Sequence, residues 1–248
     1  MSEKNRARFG LLGRDIDYSF SRAYFTEKFQ LETLSHCSYE NFDLPHLDNF
    51  RETLNTPHLR GMNVTIPYKQ EVMPYLDDLD EVSKIIGAVN TIVFQADGTT
   101  KGYNTDYIGF RESITPLLHK NITDALILGT GGASKAVLYA LQKLGIRTQY
   151  VSRKNTANSI AYHEVNADII NTHKLIVNCT PLGTFPNVAE KPDLDYSMLT
   201  SKHVLFDLIY NPAETAFMKA GATFGATVSN GQHMLVGQAE ASWELWNR

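Results

Sequence analysis

The segment that most constrains the fold is residues 124–153, DALILGTGGASKAVLYALQKLGIRTQYVSR. An apolar run of strand length leads into a glycine-rich turn, then into a helical pattern that stops at Gly145, then into a second extended run. Strand, glycine turn, helix and strand in this order form one βαβ unit, and such units build parallel sheets covered by helices. The segment therefore predicts a Rossmann-type dinucleotide-binding domain.

The glycine turn itself supplies a candidate cofactor site, made of Gly129, Gly131, Gly132 and Ala133. Gly129 permits the tight turn, and the two later glycines let the backbone approach a pyrophosphate. The N–H groups at the start of the helix then bind this anion. Ser134 stands where the strict pattern has a third glycine. A turn that merely reverses the chain is the alternative, but the surrounding βαβ unit favours cofactor binding.

The end of the second strand predicts which dinucleotide is bound. NAD-binding domains place an Asp or Glu about 20 residues after the glycines, where it binds the ribose 2′-hydroxyl. Here the corresponding residues are Ser152, Arg153 and Lys154, without an acid. Two cations and a hydroxyl suit a 2′-phosphate, so the residues predict NADP. A solvated basic loop is the alternative interpretation.

Strand-like and helix-like runs alternate along the rest of the chain, which predicts an α/β protein with two domains and a boundary near Asp106. A tight turn at Asp97-Gly98 predicts a hairpin over residues 88–104. We expect Ser21 to cap a helix over 21–29. The further predicted strands are 8–13, 38–44, 61–66, 174–183, 203–210 and 226–231, and the further helices are 45–55, 81–87, 107–119 and 231–246.

Composition narrows the function classes. The 248 residues carry a net charge of −4, so a nucleic-acid partner is not expected. No run approaches the ~20 apolar residues of a membrane span, and the N-terminus lacks a signal-peptide pattern. Cys37 and Cys179 are far apart, which predicts reduced thiols in a cytoplasmic protein. The eight histidines are scattered, so we predict no metal site.

Two polar segments stand where extended runs end. In NVTIPYK (63–69) a strand is halted by Pro67, and Lys69 follows at once. In NTD (104–106) Asp106 follows the hairpin. If Lys69 and Asp106 meet, the carboxylate orients the ammonium group. Together they would handle the hydroxyl proton when a hydride leaves a carbinol carbon.

Five segments together resemble the shikimate dehydrogenase family: NVTIPYK, GAVNT (87–91), NTD, GTGGAS and NGQHMLVGQA (230–239). They span nearly the whole chain. The resemblance implies reversible reduction of 3-dehydroshikimate to shikimate with NADPH, in aromatic amino acid biosynthesis. It also implies a substrate-binding catalytic domain of residues 1–106 plus 231–248, an open α/β domain completed by the C-terminal helix, and a Rossmann NADP-binding domain of residues 107–230. Such an enzyme would be a cytoplasmic monomer or homodimer.

The resemblance also implies roles for single residues. Lys69 and Asp106 resemble the catalytic pair, and Thr180 and Gly231 are added to the cofactor-binding residues. The substrate-binding residues would be Ser19, Ser21, Asn63, Thr65, Asn90, Tyr210 and Gln238. A polyhydroxylated acid needs several fixed amides and hydroxyls, and the two serines would bind its carboxylate. For Ser21 helix capping is the alternative, and for Ser19 solvent exposure.

The sequence departs from the family pattern at three places. Arg22 stands where a proline is usual after the second serine. Ala157 occupies the place of a second arginine, so Lys154 would have to replace it as a 2′-phosphate ligand. Residues 155–168 are only weakly helical where the family has a full crossover helix. We therefore expect fewer contacts to the 2′-phosphate and a less covered sheet on that side.

Three other functions fit parts of the pattern. A methylene-tetrahydrofolate dehydrogenase would need stacking aromatic residues for its pterin, whereas the paired serines favour a small acid. A quinate-using relative that accepts NAD would tolerate an additional hydroxyl at C1 of the substrate. A dinucleotide-sensing module would be expected to lose Lys69 or Asp106, and both are present.

Overall fold

The predicted alternation of strands and helices forms two separate six-stranded sheets in the structure, a computed structural model that describes residues 6–17 and 19–248. The chain divides into two units. The first consists of Met1–Thr105 and Ala239–Arg248, and the second of Asp106–Gln238. Of the helices in the described ranges, none has the length and apolarity that a membrane crossing requires.

The sheet of the first unit is mixed, with strand order β2-β1-β3-β5-β6-β4. Its strands are β1 (Ala7–Gly13), β2 (Cys37–Asp43), β3 (Leu59–Val64), β4 (Asp78–Leu79), β5 (Thr91–Phe94) and β6 (Thr100–Tyr103). The helices of this unit are α1 (Phe20–Leu31), α2 (Phe50–Leu54) and α3 (Glu81–Ile86). Strands β1, β2 and β3 are parallel, whereas β5 and β6 form the predicted antiparallel hairpin. The polar segments after β1 and β3 therefore leave the sheet at the same edge.

Gly61, in β3, marks a close approach of the C-terminal helix to this sheet. A Cβ atom added at Gly61 would lie 2.1 Å from Nε1 of Trp246. The same indole nitrogen donates a hydrogen bond of 3.0 Å to the carbonyl of Ile92, in β5. Trp246 also stacks on Phe9, with ring centroids 4.9 Å apart. The end of the last helix is thus part of the apolar core of the first unit.

The sheet of the second unit is entirely parallel, with strand order β12-β11-β10-β7-β8-β9. Its strands are β7 (Asp124–Leu128), β8 (Arg147–Ser152), β9 (Ser159–Ala161), β10 (Leu175–Asn178), β11 (Val204–Asp207) and β12 (Thr227–Ser229). Its helices are α4 (Asp106–Ile114), α5 (Gly132–Lys143), α6 (Ala167–Thr172), α7 (Ala216–Thr223) and α8 (Gln232–Trp246), which ends in the first unit. This is the doubly wound order of dinucleotide-binding domains, and it confirms the predicted Rossmann fold.

Two apolar clusters cover the two faces of this parallel sheet. One contains Phe110 of α4, Val137 of α5 and Phe206 of β11, and the other contains Ile170 of α6 and Phe217 of α7. A parallel sheet needs such cover on both sides. The order of the strands reverses between β7 and β10, and ligands of open α/β sheets bind at the carboxyl ends of the strands next to such a reversal.

Several element predictions were wrong in detail. Of residues 155–168, predicted as weakly helical, Ser159–Ala161 form the short strand β9, which pairs with the end of β8. The helical part is limited to a 3-10 turn at Tyr162–Glu164 and the start of α6 at Ala167. The α-helical part of 45–55 is confined to Phe50–Leu54. Helix α7 was not predicted. Its capping residue Thr215, whose Oγ1 accepts a hydrogen bond from the Met218 N–H, was the signal available for it.

The start of α1 also differs from the prediction. The helix begins at Phe20, and its N-cap is Ser19, whose Oγ accepts a hydrogen bond of 3.2 Å from the N–H of Ser21. Ser21 lies inside the first turn and is buried, so its predicted role as the cap was wrong. Arg22, at the place of the usual proline, lies on the exposed side of the helix.

Candidate active site

In the glycine turn after β7, Gly129 and Gly131 are glycines for different structural reasons. Gly129 has a φ of +97°, which residues with side chains adopt only with strain. Gly131 caps α5 with a φ of −76°, which any residue can adopt. An added Cβ at Gly131 would have no heavy atom of the described residues within 4 Å. The glycine at 131 therefore keeps a space open above the N-terminus of α5.

This open space suits the pyrophosphate of a dinucleotide, which needs close approach to backbone N–H groups at a helix N-terminus. Gly131, Gly132 and Ala133 would hold the phosphates. Ser134, at the position of the third glycine, is buried, and its Oγ donates a hydrogen bond of 2.7 Å to the carbonyl of Gly131. Its small side chain therefore closes the turn from the inside without entering the cofactor space.

The connection between β8 and β9 carries the candidate residues for the 2′-phosphate. Ser152 Oγ donates a hydrogen bond of 2.5 Å to the carbonyl of Lys154, so this hydroxyl shapes the loop. Asn155 donates to both carboxylate oxygens of Glu164, each at 2.8 Å. Arg153 and Lys154 are exposed at the tip of the loop. The loop is thus held at both ends while its two cations project into solvent, where a phosphate can reach them.

A buried network joins the carboxyl ends of β10 and β11. Asp207 is fully buried and accepts hydrogen bonds from Thr215 Oγ1 at 2.6 Å, from Asn178 Nδ2 at 3.0 Å and from the Ile209 N–H at 3.1 Å. Asn178 Oδ1 in turn accepts from Thr180, from the N–H at 3.0 Å and from Oγ1 at 2.7 Å. Burial raises the pKa of Asp207 to about 6, and the three hydrogen bonds oppose this shift.

This network shapes the segments that carry two predicted site residues. Thr180 follows β10, and an added Cβ at Gly129 would lie 3.0 Å from its Cγ2, so Thr180 packs against the glycine turn. Tyr210 follows the Ile209 N–H that Asp207 binds, and it is half-buried. Burial also raises the pKa of the Cys179 thiol, which suits an unreactive side chain.

Gln238 and Gly231 lie in or beside α8. Gln238 is buried, and its Nε2 donates a hydrogen bond of 2.9 Å to the carbonyl of Leu235. A Cβ added at Gly231 would lie 2.1 Å from the carbonyl oxygen of Leu208. The glycine at 231 is therefore required by packing within the second unit, whatever its relation to a cofactor.

Lys69 is placed by the turn that follows β3. The Tyr68 N–H donates to the carbonyl of Thr65 at 2.9 Å, and the buried Tyr68 ring anchors the turn by donating from its hydroxyl to the carbonyl of Leu44 at 2.5 Å. The carbonyl of Lys69 accepts from the N–H of Val89, in GAVNT, at 2.7 Å. Lys69 is half-buried at the edge of the sheet.

Asp106 is the first residue of α4, in the second unit, and is 4% exposed. A carboxylate in the first turn of a helix is favoured by the helix dipole. In the first unit, the preceding Asn104 donates from Nδ2 to the carbonyl of Ala88 at 3.0 Å. This hydrogen bond joins the start of the NTD segment to GAVNT.

Asn90 and Asn63 are both almost completely buried, with different surroundings. Asn90 Oδ1 accepts from the Thr105 N–H at 2.6 Å, and its Nδ2 donates to Thr105 Oγ1 at 3.0 Å. Asn63 accepts from the Tyr39 hydroxyl at 2.8 Å and donates to Ser242 Oγ at 2.9 Å. Thr65, the alternative ligand in the same motif, is half-buried at the edge of the sheet.

Comparison with known proteins matches this arrangement to one family. A sequence model of the shikimate dehydrogenase substrate binding domain matches residues 11–92. The NADP+ shikimate dehydrogenase of Methanosphaera stadtmanae is 37% identical over 263 aligned residues, which cover 96% of this chain and 90% of that protein. The chain belongs to the shikimate dehydrogenase family.

Solved structures of family members have the same fold. The shikimate 5-dehydrogenase of Thermus thermophilus, in complex with NADP(H) and shikimate, is 31% identical and has a TM-score of 0.84 over 97% of this chain and 93% of that one. The quinate dehydrogenase of Corynebacterium glutamicum, in complex with NAD, is 28% identical and has a TM-score of 0.85 over the same fractions.

Sequence reasoning missed the buried polar residues behind the shikimate dehydrogenase motifs, namely Tyr39, Asn178, Asp207 and Ser242. A signal existed for Asp207, because an acid inside the apolar run VLFDLIY is costly unless it is hydrogen-bonded. The other three are ordinary polar residues in their elements, and only the tertiary contacts distinguish them.

Proposed function

We propose that this protein is an NADP-dependent oxidoreductase that interconverts shikimate and 3-dehydroshikimate. The observation that carries the proposal is the similarity over 96% of the chain to an NADP+ shikimate dehydrogenase. The open glycine turn at Gly131 supports it independently, because it leaves room for a dinucleotide. Bound NADP+ would supply the hydride acceptor.

For the proton that leaves the substrate hydroxyl, we propose Lys69 as the exchanging group and Asp106 as its partner. Lys69 is half-buried at the edge of the sheet, and it has to react as the neutral amine to accept this proton. Asp106 is 4% exposed and is the first residue of α4, so its carboxyl group has a fixed position from which it can pair with a cation. Positioned acid–base groups contribute typically ~10²–10⁴-fold to a rate.

For the substrate, we propose that its carboxylate binds the hydroxyls of Ser19 and Ser21. Ser19 Oγ accepts the Ser21 N–H and retains its own O–H for donation. Asn90, Thr65, Tyr210 and Gln238 are proposed ligands of the ring hydroxyls. Of the two candidates in NVT, the contacts favour Thr65, because the carboxamide of Asn63 is bonded to Tyr39 and Ser242.

We propose a cytoplasmic enzyme that works as a monomer or homodimer. The thiols of Cys37 and Cys179 are free, which suits a reducing compartment. Light scattering of the purified protein would give the mass of the particle and so distinguish the two assemblies.

The proposal is tested first by initial rates with shikimate and NADP+, with NAD+ and quinate as alternative cofactor and substrate. Turnover should be fastest with shikimate and NADP+. A quinate dehydrogenase that uses NAD is the second candidate, favoured by the structural similarity to the Corynebacterium glutamicum enzyme. Faster turnover of quinate with NAD+ would establish that candidate instead.

The role of Lys69 is tested by Lys69→Ala. We expect kcat to fall by at least ~10²-fold, because the proton loses its acceptor, while the Kd for shikimate changes much less. Lys84→Ala is a matched control, since this lysine lies in the same unit and is exposed in α3. Wild-type turnover in Lys69→Ala would overturn the assignment.

A further inference from the structure

A cluster of hydroxyl and carboxamide groups lies inside the first unit, and it contacts the predicted substrate ligand Asn90. The Thr105 N–H is only a donor, so it determines which way the Asn90 carboxamide faces: Oδ1 accepts this N–H at 2.6 Å. The same Oδ1 accepts from the hydroxyl of Thr91 at 3.1 Å. The orientation of Asn90 therefore depends on the Thr105 backbone and on where the hydroxyls of Thr91 and Thr105 are held.

Ser242, in α8, holds both of these hydroxyls. Its Oγ lies 2.8 Å from Thr91 Oγ1 and 3.1 Å from Thr105 Oγ1. It also accepts a hydrogen bond of 2.9 Å from Asn63 Nδ2. Because an amide N–H can only donate, Ser242 accepts from Asn63, and its own proton is available for a contact such as the one to Thr91 Oγ1. Ser242 is fully buried, so water does not compete for these positions.

The other side of Asn63 continues the cluster toward α1. Asn63 Oδ1 accepts from the hydroxyl of Tyr39 at 2.8 Å. The Tyr39 ring is buried and stacks on Phe25 of α1, with ring centroids 4.7 Å apart. Donors and acceptors alternate consistently from Tyr39 through Asn63, Ser242 and Thr91 to Asn90. All five residues belong to the first unit.

We propose that Tyr39, Asn63 and Ser242 are positioning residues of the substrate site. They form a buried hydrogen-bond chain that runs from Tyr39 to Asn90 and sets the orientation of the Asn90 carboxamide. The chain crosses β2, β3, α8 and β5 and ends on a residue proposed to bind a ring hydroxyl of the substrate. The inference rests on the proposed function, since it takes Asn90 as a substrate ligand.

The physical reason for such a chain is the cost of an unpaired polar group in a dry interior. Each member is buried, so removing the Tyr39 hydroxyl takes away the donor to Asn63 Oδ1, and removing the Ser242 hydroxyl takes one partner from Asn63, from Thr91 and from Thr105. The side chains that lose a partner can then turn. A displaced carboxamide at Asn90 then binds a substrate hydroxyl less well. The sequence motifs include Asn63, Asn90 and Thr91 but neither Tyr39 nor Ser242, which come from two distant segments.

Tyr39→Phe is the first test, because it removes only the hydroxyl and keeps the ring in the core. We expect the KM for shikimate to rise about tenfold, with kcat within threefold and the KM for NADP+ within twofold of wild type. Tyr196→Phe is the matched control. Its buried hydroxyl donates to the carbonyl of Pro192 at 2.9 Å, within the second unit and away from the chain.

Ser242→Ala is the second test, with Ser83→Ala as its control. Both are fully buried helical serines of the first unit, but the Ser83 hydroxyl has no hydrogen-bond partner among the described residues. We expect Ser242→Ala to raise the KM for shikimate as Tyr39→Phe does, and Ser83→Ala to leave it unchanged. The KM for shikimate of the double variant Tyr39→Phe/Ser242→Ala should be no higher than that of the more affected single variant, because both substitutions interrupt the same chain.

Asn90→Ala separates this inference from the proposed function. If it leaves shikimate kinetics unchanged, the ligand assignment of Asn90 fails. If Asn90→Ala is defective while Tyr39→Phe is within twofold of wild type, the positioning chain alone is overturned. Equal losses in Tyr39→Phe and Tyr196→Phe, or additive losses in the double variant, would also overturn it. If Ser242→Ala does not fold, the KM of Tyr39→Phe for shikimate still tests the proposal.

Discussion

At the scale of the single residue, Asp207 shows what holds the end of a buried strand. Its carboxylate lies in an apolar strand, yet three donors from β10, from the turn after β11 and from the cap of α7 converge on it. Burial raises its pKa to about 6, whereas its ordinary value is 3.8. The hydrogen bonds keep the group in place, while its desolvation makes the folded protein bind a proton more tightly than the unfolded chain does.

This difference predicts a pH dependence of stability. As the pH rises from about 4 to about 6, unfolded Asp207 ionises before folded Asp207 does, so the wild type loses stability relative to Asp207→Asn, which does not titrate. Over the whole titration, from well below 3.8 to well above 6, the change corresponds to roughly 3 kcal/mol, at about 1.4 kcal/mol per pKa unit, and most of it falls between pH 4 and 7. Urea unfolding of both proteins at pH 4 to 7 measures it.

The control is Asp48→Asn, which replaces an exposed acid near α2. The difference in the free energy of unfolding between Asp48→Asn and wild type should not change with pH as the difference for Asp207→Asn does. A free-energy difference between wild type and Asp207→Asn that stays constant from pH 4 to 7 would contradict the prediction.

At the scale of the element, the connection between β8 and β9 is short and held by its own side chains. Thr156 and Ser159 exchange backbone hydrogen bonds across the turn, and Ser152 closes its other side. No crossover helix intervenes between Ser152 and Ser159. The loop therefore exposes Arg153 and Lys154 on a short turn whose conformation is fixed by hydrogen bonds.

We predict that Arg153→Ala raises the KM for NADP+ about tenfold, because a charge-assisted contact to the 2′-phosphate is lost. The KM for NAD+, which lacks that phosphate, should stay within twofold. Lys120→Ala, an exposed lysine of the same unit, is the control and should change neither value. Parallel increases in both KM values would show that Arg153 does not distinguish the two cofactors.

Elements with a hydrophobic period over many residues were predicted correctly, whereas a short strand defined only by its pairing was not. Residues 124–153 were assigned correctly because strand, turn and helix each have their own pattern. The strand Ser159–Ala161 has only three residues and no period to detect. Ser19 and Ser21 could not be ranked as caps from sequence, because the backbone angles at Ser19, and not its identity, make it the N-cap.

At the scale of the whole molecule, α8 is the element that both units share. Its N-terminal part contributes Met234 to the core of the second unit, and its C-terminal part contributes Trp246 to the core of the first. Trp246 packs against Gly61, where no side chain fits. The first unit is therefore completed by the last residues of the chain.

Gly61→Ala should lower the free energy of unfolding by about 1–3 kcal/mol, the usual cost of overfilling a packed core. Denaturant unfolding measures this loss. Gly131→Ala is the matched control, because its added methyl group has open space. It should keep wild-type stability while raising the KM for NADP+. Equal stability of Gly61→Ala and wild type would show that α8 can shift without cost.

Sequence patterns alone predict the α/β class, the Rossmann unit and the motifs that resemble the family, since these depend on periodicity and on glycine and proline at particular positions. Which polar residues lie behind these motifs depends on contacts between distant segments. Tyr39, Asn63 and Ser242 come from three distant segments, and their hydrogen bonds exist only once β2, β3 and α8 are packed together. A local pattern reports the shape of its own segment, whereas a buried polar contact depends on what the rest of the chain brings to it.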